Sequence, residues 1–166
     1  MTDLRLEGKV AIVSGAGTYG GSGVGNGAAA AIVFAREGAR VLLVDAVLEW
    51  ADATKATIEE EGGVAISTAA DVTSPDDCQR AIELAVETFG GLDILHNNVG
   101  GGARGSVVDA TEEAWERSIS VNLMSMVNMS RHAVPQMIAG GGGSIINVSS
   151  VTALRPKVGI SAAPYT

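Results

Sequence analysis

The chain contains one cysteine, Cys78, so no internal disulfide can staple it. It also lacks any block of Lys or Arg. The 11 basic residues are scattered among 19 acidic ones, the formal net charge is -8, and no positive stripe exists to track a phosphate backbone. We therefore expect no nucleic-acid partner. No apolar run reaches the roughly 18 residues that a membrane span needs, and the opening MTDLRLEGKV lacks the basic and apolar regions of a signal peptide. These absences lead to the expectation of a cytoplasmic protein with no membrane partner. His96 and His132 have no Cys, Asp or Glu at metal-ligand spacing, and no metal site is expected. What the chain does have is apolar material: 46% of its 166 residues are hydrophobic, enough for one buried core. A single domain over residues 1–166 is the expectation.

Short β-branched runs alternate with longer helical patterns. Val10–Ser14, Val41–Asp45, Val64–Thr68, Leu92–Asn97 and Ser144–Ser149 are nearly continuous in apolar residues, which predicts buried parallel strands. Between them AAAAIVFAREG closes on Gly38 as a C-terminal stop. SPDDCQRAIELAVETFGG opens with Ser74 as N-cap, Pro75 at the first position and Asp77 at the capping-box position. A further helical stretch over 111–139 is expected to break near Ser120, and Gly140–Gly143 turns the chain into the fifth strand. Five such steps imply an α/β fold, a doubly wound, mostly parallel sheet of the Rossmann-like kind.

Directly after the first strand comes SGAGTYGGSGVGNGAAAA. Its glycines let backbone approach a ligand closely, and the helix beyond offers N–H groups and a positive dipole end to a pyrophosphate. Gly15, Gly17 and Gly20 fit the literal GxGxxG spacing. Counting back from Gly38 instead puts Gly25 and Gly27 at the helix mouth, with Gly15 ending the strand and Gly20 in an inserted stretch. Asp45 ends the second strand, where a carboxylate accepts hydrogen bonds from ribose hydroxyls and repels a 2′-phosphate. Neither the glycine loop nor DAVLEW contains Lys or Arg, so NAD is favoured over NADP. Asp71 and Val72, after the third strand, fall where an adenine edge would lie.

Taken together, the glycine loop, Asp45, Asp71-Val72, NNVG at Asn97–Gly100, Asn122 on an apolar helix, and INVSS followed by a tyrosine resemble the short-chain dehydrogenase/reductase family of the classical type. Physical sense supports parts of this: Asn98 at a strand end can bond neighbouring backbone, and Gly100 leaves room for the nicotinamide ribose. The resemblance implies hydride transfer between nicotinamide and a secondary alcohol or ketone. Tyr165 would be the acid/base, Ser150 would polarise the substrate oxygen, and Asn122 would support a water in a proton relay. It also implies a homo-oligomeric parent enzyme, dimer or tetramer. The Ser150–Tyr165 separation is two residues longer than the family's commonest spacing.

The family pattern further places a Lys four positions after the tyrosine, whereas the sequence ends at Thr166. The ending thus reads as the front part of a longer enzyme, with the final strands and substrate loop missing. A free tyrosine has a pKa of about 10 and needs a nearby cation to become a useful base, so these residues alone are expected to turn over poorly. A non-catalytic NAD-binding protein is the alternative kept from this pattern. A methyltransferase would share the glycine loop and Asp45, with no need for NNVG, Ser150 and Tyr165.

Overall fold

The computed structural model describes residues 4–19, 23–102 and 108–151. Tyr165, together with Gly20, Arg155 and Lys157, lies outside the described residues. The described chain runs β1 (Val10–Ser14), α1 (Asn26–Arg36), β2 (Arg40–Asp45), α2 (Leu48–Glu60), β3 (Val64–Ala69), α3 (Pro75–Phe89), β4 (Ile94–Asn97), α4 (Glu112–Ile119), a π turn (Ser120–Met124), α5 (Ser125–Ala139) and β5 (Ser144–Asn147). The five strands form one parallel sheet in the order β3-β2-β1-β4-β5. The expected α/β doubly wound architecture is therefore the observed one.

Because successive strand residues point to opposite faces, β1 and β2 feed two cores. Ala11, Val13, Val41 and Leu43 pack against Ala31, Ile32 and Ala35 of α1 and Ala51 and Ile58 of α2. Ile12, Leu42, Val44 and Leu95 pack on the other face against Cys78, Ala81, Ile82 and Ala85 of α3 and Met129, Ala133 and Met137 of α5. The chain lays down β1, β2 and β3 in one direction, then returns past β1 to add β4 and β5. Right-handed crossovers put the helices of the two halves on opposite faces. The reversal lies between β1 and β4, where their carboxyl ends diverge and a crevice opens.

Local signals act as expected at several ends. The Ser74 hydroxyl accepts from the Asp77 N–H, and Gly90 closes α3 in the left-handed region. Gly38 follows α1 at φ 93°, where a Cβ would press on the backbone of Glu7.

Three expectations need correction. Among the described residues β3 and β5 lie at the two edges of the sheet and are not fully buried: Val64 is 51% and Ile146 40% exposed. Strand β4 begins at Ile94, two residues later than expected; Asp93 just before it still bonds the Val10 carbonyl and the Ser144 N–H through its backbone, while its carboxylate accepts from Val10 N and Lys9 Nζ. The helix over 112–139 does not break at Ser120. One π turn absorbs the irregularity, and the Ser125 hydroxyl donates to the Val121 carbonyl there at 2.6 Å. Of the methionines in this stretch, Met129 and Met137 are core and Met124 is exposed. The π turn presents Leu123 outward, and α5 presents Val127, Val134 and Ile138.

Leu95→Ala should cost about 2–5 kcal/mol in urea unfolding, because β4, paired on both sides, cannot collapse around the void. Ile138→Ala, at a side chain 73% exposed, should change stability by no more than about 0.5 kcal/mol.

Candidate functional site

Strand β1 ends at Ser14, and Gly15 swings the chain out of the sheet at φ 67°. The next four residues are hung from the protein by their own N–H groups. Gly15 and Ala16 donate to the Val44 carbonyl at 2.8 and 3.2 Å, and Thr18 donates to the Trp50 carbonyl at 3.0 Å. Gly17 donates to Asp45 Oδ2 at 2.9 Å. In this half of the glycine loop, residues 15–18 thus have no backbone N–H left for a ligand.

The other half differs. Helix α1 starts after Gly25, which supplies no side-chain cap, and the first helical bond is Ala29 N–H to the Gly25 carbonyl. The N–H groups of Asn26, Gly27 and Ala28 thus have no acceptor among the described residues, as the first turn of any helix leaves them. By contrast, α3 and α4 are capped by the Ser74 and Thr111 hydroxyls. Gly27 is fixed by packing, since any Cβ there would run into the Gly15 carbonyl. A Cβ on Gly25 would meet nothing closer than 3.7 Å.

Asp45 stands at the carboxyl end of β2, half-buried, with Oδ1 accepting from Val47 N at 3.1 Å. Beyond it, Asp71 is exposed after β3 and Val72 is buried. Asp71 Oδ1 accepts from the Thr73 N–H and hydroxyl, and the Asp71 N–H donates to Asp77 Oδ2. That bond, followed by those from Ser74 and Arg80, holds the Asp77 carboxyl below its usual range. Asp77 therefore ties down the Asp71 turn instead of completing a reciprocal capping box.

On the other side of β1, Asn98 Nδ2 donates to the Gly15 carbonyl at 3.1 Å. Asn122, buried in the π turn, grips Gly101 from both sides: its Oδ1 accepts from Gly101 N at 2.8 Å, and its Nδ2 donates to Gly101 O at 2.7 Å. A third bond runs from Nδ2 to Ser118 Oγ at 3.1 Å. The carboxamide thus holds the turn after NNVG. Asn98, Gly100 and Asn122 line one cleft with Asn26 of α1 and with Ser149 and Ser150 after β5. The structure so gathers Gly15, Gly25, Gly27, Asn98, Gly100, Asn122 and Ser150 around the β1–β4 crevice. Asp45, Asp71 and Val72 extend the same carboxyl-end rim across β2 and β3.

Some residues that build this rim were not singled out from the sequence. Thr54 of α2 donates to the Ala16 carbonyl at 2.8 Å. Asn128 of α5 donates to the carbonyls of Val72 and Thr73 at 3.4 and 3.2 Å. Gly17, part of the literal glycine triplet, faces Asp45 so closely that a Cβ would collide with the carboxylate. A buried polar residue amid a helix's apolar stripe is the signal that Thr54 and Asn128 shared. Trp50 packs edge-on to Tyr19 at 4.9 Å. Among the described residues no group of His, Cys, Asp and Glu could hold a metal ion, and no helix is long and apolar enough to cross a membrane.

A parallel sheet with a glycine turn at its switch point and an acidic second-strand end is the architecture of a dinucleotide-binding domain. Comparison with known proteins narrows this further. The short chain dehydrogenase family profile matches residues 9–166. The 2,5-dichloro-2,5-cyclohexadiene-1,4-diol dehydrogenase of Sphingobium indicum is 39% identical over 155 residues, covering 93% of this chain and 60% of that protein. Cyclohexanol dehydrogenase of an Acinetobacter species is 36% identical over 151 residues, covering 90% and 58%. Among solved structures, a short chain dehydrogenase from Mycobacterium smegmatis superposes with a TM-score of 0.86 at 33% identity, covering 95% of this chain and 64% of that one. A 7α-hydroxysteroid dehydrogenase complexed with NADH and 7-oxo glycochenodeoxycholic acid gives 0.86 at 32%, covering 95% and 59%. The chain belongs to the short-chain dehydrogenase family, and it spans about 60% of the length of the relatives it matches.

Cys78 Sγ donates to the Val72 carbonyl at 3.3 Å, and burial, aided by the charges of Asp77 and Asp71, pushes its thiol up to about 11. A disulfide reagent at pH 8 should therefore leave Cys78 unmodified until urea unfolds the chain. Since the folded value lies above the unfolded one, this group's contribution to stability is fully present below about pH 9 and is lost as pH rises towards 11. Urea titrations at pH 8 and pH 10.5, compared between the parent and Cys78→Ala, should show that difference.

Proposed function

We propose that this chain carries the dinucleotide half of an NAD(P)-dependent oxidoreductase site, with NAD preferred, acting on a secondary alcohol or the corresponding ketone. The observation that carries the reading is the division of labour in the glycine loop. The N–H groups of residues 15–18 are consumed by the protein, while those of Asn26, Gly27 and Ala28 remain at a helix N-terminus, where a pyrophosphate is best received. Asp45, held by two backbone N–H groups, keeps acceptor capacity on both oxygens for ribose hydroxyls. No Lys or Arg stands in the glycine loop or in Asp45–Trp50 to accept a 2′-phosphate. On this reading Asp71 and Val72 line the adenine end, and Asn98 and Gly100 the nicotinamide end. When bound, the dinucleotide supplies the hydride donor or acceptor.

Ser150 is the residue we assign to polarising the substrate oxygen, since it shares the cleft with Asn98, Gly100 and Asn122. Tyr165 is assigned the proton transfer by its sequence position alone. Asn122, its carboxamide bonded to Gly101 and Ser118, serves by fixing the turn that borders the nicotinamide end. The names of two relatives, a cyclohexanol dehydrogenase and a cyclohexadienediol dehydrogenase, favour a ring-borne secondary alcohol as the first substrate to try.

NADH should bind at least about tenfold more tightly than NADPH, a difference of about 1.4 kcal/mol. Asp45→Ala combined with Ala46→Arg should shift preference towards NADPH, and equal affinity of the unchanged chain for both would defeat the assignment of Asp45. Gly27→Val should lose both nucleotide binding and thermal stability, because the clash is with the Gly15 backbone. Gly25→Ala should keep the melting temperature, so any affinity it loses reports contact with the nucleotide itself.

A further inference from the structure

We propose that Thr54, a residue of α2 outside the cleft, is a positioning residue that sets discrimination between the two dinucleotides by holding Gly17 against Asp45. The inference rests on the cleft being a dinucleotide site, as argued above. Thr54 is wholly buried, and its hydroxyl has a single proton to give. The short bond, 2.8 Å to the Ala16 carbonyl, takes that proton in preference to the 3.4 Å contact with the Trp50 carbonyl one turn back. The Thr18 hydroxyl, 2.9 Å away, must then be the donor to Thr54 Oγ1. One buried oxygen thus ties down the residues on either side of Gly17.

Gly17 has almost no slack of its own. Its N–H donates to Asp45 Oδ2, and the space beside its Cα is filled by that carboxylate and by Trp50 Cβ. A shift of this peptide therefore moves the carboxylate, whose other oxygen is anchored to Val47 N. Thr54 acts on Asp45 through Ala16, Thr18 and Gly17, without touching a ligand.

The two nucleotides respond differently to a loosened carboxylate. Hydrogen bonds to ribose hydroxyls depend steeply on distance and angle. Repulsion of a 2′-phosphate by a negative charge falls only slowly with distance. Freeing the loop should therefore weaken the NAD complex while leaving rejection of NADP nearly intact.

The test measures dissociation constants for NADH and NADPH by nucleotide fluorescence, with melting temperatures, for the parent chain, Thr54→Val, Thr54→Ser, Asp45→Ala and the Asp45→Ala/Thr54→Val double variant. Thr54→Val, which leaves the Ala16 carbonyl unpartnered, should weaken NADH binding about three- to tenfold and change NADPH binding by less than about twofold. Thr54→Ser should restore the parent values. In the Asp45→Ala background, Thr54→Val should add nothing, since coupled residues are not additive. Equal weakening of both nucleotides, failure of Ser to restore, or full additivity with Asp45→Ala would overturn the proposal. If the parent chain binds neither nucleotide, the dinucleotide reading falls and takes this with it. If the parent binds NADH and Thr54→Val binds it equally well, only the role of Thr54 falls. Should Thr54→Val not fold, Thr18→Val removes the outer hydroxyl alone and must show the same sign at smaller size, and no change there would count against the proposal.

Discussion

The carbonyl of Gly15 is the point where β1, α1 and the turn after β4 meet, and the geometry of the cleft depends on that crowding. Asn98 bonds to it from one side, and Gly27 lies against it so closely that no side chain can be interposed. A Cβ on Gly15 itself would press tightly on Val99, at 3.1 Å from its side chain, and the residue's φ of 67° favours glycine there. The helix mouth is thereby held near the strand end, and its N–H groups open over the place where the sheet reverses direction. A single backbone oxygen sets the spacing of the switch point.

The remainder of the rim uses the same device of side chains from the helices gripping backbone of the loops. Thr54 reaches from α2 to Ala16, Asn128 from α5 to Val72 and Thr73, and Asn122 from the π turn to Gly101. Each is a polar group buried in an otherwise apolar contact, tolerable because its partner is an orphan carbonyl or N–H that the loop itself exposes. Stability and shape of the rim therefore come from the same bonds. The loops are ordered from beneath, by elements whose own packing lies in the two cores.

Much of this was legible in the sequence where local chemistry dominates. Strand runs such as Val10–Ser14, the Ser74-Pro75 helix start, the Gly38 stop and the glycine-rich turn before α1 are short-range signals, and each falls where its residues put it. Asp45 was readable because a charge at the end of an apolar strand has few reasons to be there. The long-range partners were not readable. Nothing in the order of residues says that Thr54 lies under Ala16, 38 positions earlier, or Asn128 under Val72, 56 positions earlier. Likewise, strand burial was overread at β3 and β5, because an apolar run does not reveal whether a strand has a neighbour on both sides. The irregularity near Ser120 was visible, but its form was not, since the bonds of Asn122 to the Gly101 backbone and of Ser125 to the Val121 carbonyl depend on the fold and not on residue order.

That widened turn also fixes the phase of everything after it. An α-helix advances about 100° per residue, and a π turn accommodates one residue more than the α spacing does. Winding the same residues as regular α-helix throughout, with none removed, would rotate the whole of α5 by about that angle about its axis. Met129, Ala133 and Met137 would leave the core, and Asn128 would leave Val72. The bulge behaves as a keyed joint: its extra residue is the offset that lets one continuous helix face Gly101 with its first half and the sheet with its second.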